Sequence, residues 1–360
     1  MIKFKQLKQI HLEITNRCQA SCPMCNRNFH GGMSNPLIKS TDWTLDDFKN
    51  ILTPSVLAQL EGFYFCGNFG DPIINNDLAK MCEYASLENP NISINIHTNG
   101  SARSIQWWEN LAKVLPKRHR VIFALDGLLD THKLYRIGTD FNKILNNARA
   151  FINAGGKAEW CFIKFKHNEH QVSMAESLAK EYGFKSFTVK NSSRFIGEPK
   201  YPVYDETGAT TYYIEPPTDN KMSFINHDII NNYKSIVENS DIDCYVLKAK
   251  QIYIDFNRHV YPCCYLASVP YTFIDKDETQ EVRLDINRQH DEYIADLGGI
   301  DKIDATLNTL ENILAQDKMH TVWNKYWGTQ KMITCARSCG KIKEISRPYE
   351  QIIASGVING

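Results

Sequence analysis

From residue 9 to about residue 193, short apolar or β-branched runs alternate with longer helical patterns. Six strand candidates occur, at residues 11–15, 61–66, 92–98, 120–125, 158–164 and 186–189. Alternation of this kind marks repeated βα units, in which helices cover a parallel sheet, and it places the chain in the α/β class. Two local signals set helix limits. Thr44 followed by Asp47 reads as a capping box opening the first long helix, and the helical pattern from Phe141 to Ala154 stops at Gly155 and Gly156. After Phe195 both periodicities break among Pro199, Pro202, Pro216 and Pro217. Residues 251–256 and 259–261, joined by Asn257 and Arg258, then read as a β-hairpin, with Asn257 tolerating positive φ in the turn. Residues 301–327 are mostly helical by pattern. The expected organisation is a first domain over residues 1–195, a linker over 196–240, a smaller module over 241–345 and a tail over 346–360.

Charge excludes one class of function. The 41 Lys and Arg residues are balanced by 41 Asp and Glu, so the chain lacks the broad positive field of a nucleic-acid binder, although a local basic patch stays open. No run approaches the roughly 18 apolar residues of a membrane span, and no secretory signal follows the charged N-terminal residues. A cytoplasmic protein without membrane or nucleic-acid partners is expected. In that compartment eleven cysteines point to metal or cluster ligation rather than to disulfides.

The cysteines fall in two groups. Cys18, Cys22 and Cys25 lie within eight residues, directly after a strand candidate. Three thiolates on such a loop hold three irons of a [4Fe–4S] cube and leave the fourth iron open to a ligand. The competing reading adds His11 or His30 to form a zinc site, as in a zinc-stabilised binding protein without catalytic activity. Cys244, Cys263, Cys335 and Cys339 supply four thiols, enough to close an all-cysteine [4Fe–4S] site or to bind zinc. Cys264 competes with Cys263, which is favoured as the residue directly after Tyr261 and Pro262. Cys66, Cys82 and Cys161 read as core residues. Trp107, Trp108, Trp323 and Trp327 read as packing residues. Lys164, Lys190 and Arg194 either face an anionic substrate or are solvated, and residues 201–217 read as an ordered linker in preference to a substrate loop.

With three and then two residues between Cys18, Cys22 and Cys25, and with Gly67, Asn68, Gly70 and Asp71 at the end of the second strand, the chain resembles the radical S-adenosylmethionine (SAM) superfamily. The match continues through Thr98 and Asn99, Asp126 and Arg136 in the same order along the chain. The resemblance implies a partial (β/α)6 TIM-like barrel in which SAM chelates the open iron. One electron from the reduced cluster then splits SAM into methionine and a 5′-deoxyadenosyl radical that takes a hydrogen atom from substrate. It also implies roles for single residues. Gly67, Asn68, Gly70 and Asp71 would meet the methionine amino group, with Asp71 standing where the family has Glu. Thr98, Asn99 and Asp126 would lie near the ribose and carboxylate, Arg136 would pair with that carboxylate, and Met24 would pack near the adenine. Ala124 stands where the family often has Ser, and Asn168 where it often has Asn.

Residues 252–264 resemble the opening of the SPASM and twitch modules that follow many such barrels. Five cysteines against the seven or so of a full SPASM module fit the shorter twitch form, so a small β-hairpin and helix module with one auxiliary [4Fe–4S] cluster is implied. The expected function is a SAM-dependent oxidation of a peptide side chain or small metabolite, with the auxiliary cluster taking an electron and a flavodoxin or ferredoxin as reductant. The alternative enzyme is a nucleotide- or RNA-modifying one that binds substrate at the auxiliary cluster. Because the first strand begins near residue 10, a winged-helix leader-binding extension is not expected, which disfavours a ribosomal peptide substrate.

Overall fold

The computed structural model describes residues 2–192, 194–195, 200–219, 233–272, 280–316, 322, 324–328, 330–341 and 353–354. Six parallel strands, β1 (Gln9–Leu12), β2 (Gly62–Phe65), β3 (Ser93–Thr98), β4 (Arg118–Ala124), β5 (Ala158–Lys164) and β6 (Ser186–Asn191), follow one another in space in sequence order. With their crossover helices they form a TIM-like partial barrel, and a smaller C-terminal region completes the α/β fold. Strand alternation decides which side chains reach the interior. In β1 and the residues after it, Ile10, Leu12 and Ile14 are buried against the helical layer, which places His11 and Glu13 on the opposite, inner face. The helical layer packs on Phe63, Phe65, Phe123, Trp160 and Phe187, and it contributes Trp108 and Phe151.

Local sequence explains where helices begin and end. Thr44 accepts from the Asp47 amide at 3.0 Å while the Asp47 carboxylate accepts from the Thr44 amide at 2.8 Å, closing the expected capping box. The helix it opens is short, Leu45–Ile51, because Thr53 and Pro54 start a second helix, Pro54–Gln59. The helix Phe141–Asn153 ends at Gly155, whose φ of 94° suits glycine, as expected.

The C-terminal hairpin joins the barrel sheet directly. Strand β10 (Gln251–Ile254) runs parallel to β1 on the side away from β2, and β11 (Val260–Tyr261) pairs antiparallel with β10. The turn places Arg258, not Asn257, at positive φ (70°), and the Arg258 guanidinium is held by the Asp42 carbonyl at 2.9 Å and the Asp47 carboxylate at 2.7 Å. Residues 201–214, inside the stretch expected to be a linker, form an antiparallel pair, β7 (Tyr201–Tyr204) and β8 (Thr210–Ile214). Pro202 is accommodated because β7 has a partner on one side only. Among the described residues of 301–327, a 3-10 turn at Ile300–Lys302 is followed by turns and then by a helix at Leu310–Ala315, and Val322 and residues 324–327 are helical; residues 317–321 and Trp323 lie outside the described residues, as does the tail apart from residues 353–354. No helix among the described residues is long and apolar enough to cross a membrane.

Candidate active site

The loop after β1 carries Cys18, Cys22 and Cys25 over the C-terminal ends of the barrel strands, where α/β folds place their ligands. Each thiol meets a different connection between barrel strands. Cys18 Sγ accepts from the Ala20 amide at 3.4 Å and from Asn99 Nδ2 at 3.5 Å, beyond β3. Cys22 Sγ lies 3.7 Å from an Arg136 terminal nitrogen, and Cys25 Sγ lies 3.8 Å from the Asn68 carbonyl beyond β2. Burial raises the pKa of the Cys18 and Cys22 thiols. A thiolate is therefore favoured only where donors or a metal ion compensate, and Ala20, Asn99 and Arg136 supply donors. The thiol donor set and its hydrogen bonds fit an iron–sulfur cluster. Each histidine has one ring nitrogen on a backbone carbonyl: His11 Nε2 is 2.8 Å from the Cys66 carbonyl and His30 Nδ1 is 3.2 Å from the Pro202 carbonyl. Among the described residues no three His, Cys, Asp or Glu side chains are arranged to hold a single metal ion.

The residues expected to contact SAM are gathered at the same rim, yet much of their bonding capacity is spent on each other. Asp71 is buried and accepts from Thr98 Oγ1 at 2.8 Å, the Asn99 amide at 2.7 Å and the Ile73 amide at 3.2 Å, so it ties the end of β2 to the end of β3. Arg136 Nε donates to Asp126 Oδ2 at 2.6 Å, while Asp126 Oδ1 accepts from the Ile163 amide. Burial raises the Asp126 carboxyl, and burial alone would lower the Arg136 guanidinium, but Asp126 holds that guanidinium well above its ordinary value. The pair is ionic, since a guanidinium keeps its proton and both Asp126 oxygens have donors. Gly67 and Gly70 are required by the loop itself. A Cβ on Gly67 would fall 1.5 Å from the Gly70 carbonyl, and one on Gly70 would fall 2.0 Å from that of Thr15. Met24 is buried with Tyr135, Phe165, Val203 and Ile214 beneath the β7–β8 hairpin, and its carbonyl accepts from Arg194. Asn168 is consumed by a local turn, bonding the Phe165 amide at 2.7 Å and the Ile163 carbonyl at 3.0 Å. Lys164 pairs with Asp219 at 2.7 Å, and Lys190 lies beside Cys161. Ala124 brings no side-chain donor to its position at the end of β4.

Sequence reading missed Glu13. Its Oε1 accepts from the amides of Phe69 and Gly70 at 2.6 and 3.1 Å, and its Oε2 accepts from Tyr253 of β10 and lies 3.5 Å from Asn68 Nδ2. One carboxylate thus joins the glycine loop to the C-terminal hairpin. The available signal was an acid at an inward position between Leu12 and Ile14. Burial, outweighing these hydrogen bonds, pushes the Glu13 carboxyl up from 4.5 to about 7. Between those values the native protein binds more protons than the unfolded chain, so Glu13 makes stability fall as pH rises through that window. In Glu13→Gln, which keeps an acceptor for the two amides, the decline of Tm between pH about 4.5 and 7 should flatten relative to wild type when followed by calorimetry.

The second cysteine group is assembled by pairing of β9 (Asp241–Ile242) with β12 (Gly340–Lys341) and by the helix Ile333–Cys339. Cys244, Cys263, Cys335 and Cys339 line one narrow cavity of about 10 Å³, with Tyr245 and Tyr265 in its wall. The thiols are closed on one another, and a hydrogen bond between Cys244 and Cys339 lowers the Cys244 pKa to about 7 and raises that of Cys339. The donor set suits an all-cysteine cluster, whose entry would spread the four thiols. Cys264 does not line this cavity; it is turned toward Cys66, Glu13 and Tyr245, and burial pushes it up to about 12. Cys82 is fully buried in the core, whereas Cys66 and Cys161 are half-buried.

Residues 12–171 match the model of the radical SAM superfamily, a superfamily of enzymes. No curated protein matches the chain in sequence. Solved structures share its fold at low identity. SuiB of Streptococcus suis bound to precursor peptide SuiA is 15% identical, with a TM-score of 0.54 over 90% of this chain and 67% of that one. The S-adenosylmethionine-bound SuiB structure is 15% identical with a TM-score of 0.50, and the match covers 76% of this chain and 64% of SuiB. Native anSMEcpe with bound AdoMet is 18% identical, with a TM-score of 0.52 over 92% of this chain and 89% of that one. The chain therefore spans about two thirds of the length of SuiB and most of anSMEcpe.

Proposed function

We propose that this protein is a radical SAM enzyme that oxidises a peptide side chain or a small metabolite, with Cys18, Cys22 and Cys25 holding the SAM-binding [4Fe–4S] cluster and Cys244, Cys263, Cys335 and Cys339 an auxiliary one. The observation that carries this reading is the placement of each N-terminal thiol against a different connection after a barrel strand, within the region that matches the radical SAM superfamily: Cys18 at Asn99 after β3, Cys22 at Arg136 between β4 and β5, and Cys25 at Asn68 after β2. When bound, the clusters and SAM supply a 5′-deoxyadenosyl radical that removes a substrate hydrogen atom and an acceptor for the second electron. The chain's own residues do the positioning. Asp71 fixes the ends of β2 and β3 around the ligand, Glu13 holds the amides of Phe69 and Gly70 in place, and the Arg136 and Asp126 pair supports Cys22. Four thiols around one cavity favour a closed auxiliary cluster over one that binds a nucleotide or RNA substrate directly. SuiB and anSMEcpe are each bound to a peptide in a solved structure of this fold, which supports a peptide among the candidate substrates.

Iron analysis tests the assignment. Anaerobically reconstituted protein should bind roughly eight irons per chain and release deoxyadenosine from SAM when reduced with dithionite. Cys263→Ala should lose about half of that iron, whereas Cys264→Ala, altering a thiol outside the cavity, should keep it. Loss of that iron in Cys264→Ala with retention in Cys263→Ala would reverse the choice between these two neighbours.

A further inference from the structure

The outer flank of the cysteine loop opens into a cleft of about 420 Å³ whose wall includes Cys18 but neither Cys22 nor Cys25. Arg17 and Arg27 line it, and no carboxylate does. Arg17 is partly offset by Asp42, and an Arg27 terminal nitrogen donates to the Ala20 carbonyl, but the Nε of each arginine is buried without a partner. The segment forming the far wall through Ser34, Asn35, Ile38 and Ser40 also carries exposed Lys39. In that same segment Met33 and Leu37 are 52% and 50% exposed. In a chain of zero formal net charge this is a local basic surface with apolar side chains at its edge, placed over one ligand of the proposed cluster. Exposed apolar groups beside charged ones mark protein contact surfaces, and the charge selects a partner of opposite sign.

We propose that this cleft is the docking face for an acidic one-electron carrier protein, which delivers its electron to the cluster at Cys18. The inference rests on the cluster assignment above and adds the route by which the cluster is reduced. The carrier loses one electron and the cluster gains it; no bond changes at the cleft, and the electron is consumed when the sulfonium bond of SAM is cleaved to methionine and the deoxyadenosyl radical. Met33 and Leu37 supply apolar contact, while Arg17, Arg27 and Lys39 orient the carrier.

Binding of flavodoxin to the reconstituted holoprotein tests this. A double variant, Leu37→Asp with Lys39→Glu, should bind flavodoxin at least about tenfold more weakly at low ionic strength, and Arg17→Gln should weaken it in the same direction. Flavodoxin-driven bleaching of the cluster absorbance should slow in parallel, whereas dithionite-driven deoxyadenosine release by the double variant should match wild type, which also shows that it is folded. Added salt should weaken wild-type binding, because the contact is between exposed charges. Lys113→Glu, on the helix Ile105–Val114, should leave binding unchanged. Undiminished affinity in the double variant, failure of wild type to bind flavodoxin, or an equal loss from Lys113→Glu would overturn the docking face. Wild-type protein that takes up no iron at Cys18, Cys22 and Cys25 would instead remove the cluster assignment, so the two failures are distinguishable.

Discussion

Replacing any one of Cys18, Cys22 and Cys25 by Ala should abolish deoxyadenosine release and remove about four of roughly eight irons, leaving the auxiliary set in place. The expectation is all-or-none because a cube held by three thiolates has no spare protein ligand: the fourth iron is the one open to SAM. Serine in place of cysteine should do no better, since a hydroxyl at neutral pH is protonated. The folded barrel should survive these changes. Cys18 and Cys25 are only half-buried, and the packing around Cys22 is carried mainly by Met24, Tyr135 and Phe165. Thermal unfolding of the apo proteins should therefore stay close to wild type while chemistry is lost. Deoxyadenosine release by any of the three variants would defeat the assignment.

Arg136→Ala should cost about 3–5 kcal/mol of stability, the largest expected from one surface-adjacent side chain. Asp126 is 0% exposed, and its partner contact is 2.6 Å long, so removing the guanidinium leaves a buried carboxyl with the Ile163 amide as its hydrogen-bond donor among the described residues and the charge of Lys190 nearby. Burial already raises that carboxyl, and without Arg136 it should take up a proton. The double variant Arg136→Ala with Asp126→Ala should be less destabilised than the sum of the two singles, because the penalty lies in the unpaired charge and not in the pair. Arg136→Lys should restore only part of the loss, because one ammonium cannot reproduce the fork that reaches both Asp126 and Cys22. Denaturant unfolding of the four proteins measures this. A cost below about 1 kcal/mol for Arg136→Ala, the range of solvated pairs, would refute the buried-pair account.

How much of the site was legible from sequence depended on whether its determinants are local. The six strands lie within a few residues of their expected positions because period-2 alternation and flanking turns are written in neighbouring residues. The capping box at Thr44 and Asp47 and the stop at Gly155 are legible for the same reason. The hairpin β7–β8 was hidden because Pro202 and the tyrosines around it read as a break, and the pair is stabilised by contacts with distant segments: the Tyr204 amide donates to the His30 carbonyl at 2.9 Å, and Val203 and Ile214 pack beside Met24. The residues expected around SAM are picked out by their order along the chain, but the bonds they make to one another are not legible there. Nothing in the spacing of Asp71, Thr98 and Asn99, or of Asp126 and Arg136, says that each carboxylate is already satisfied by its neighbours.

Sequence alone determined the α/β class, the six βα units and the two groups of cysteines, since each is a pattern of residue types at short spacing. Tertiary structure decided the faces and the partners. Glu13 became a link between the glycine loop and the hairpin only when β10 came to lie beside β1 and brought Tyr253 to it. Cys263 and Cys264 are adjacent in sequence, yet one lines the cavity with Cys244, Cys335 and Cys339 and the other turns toward Glu13 and Cys66. The reason is geometric. Cys263 has extended backbone, with φ −151° and ψ 162°, so it and its neighbour point to opposite sides, and only the segments that pack on each side determine which thiol meets three others.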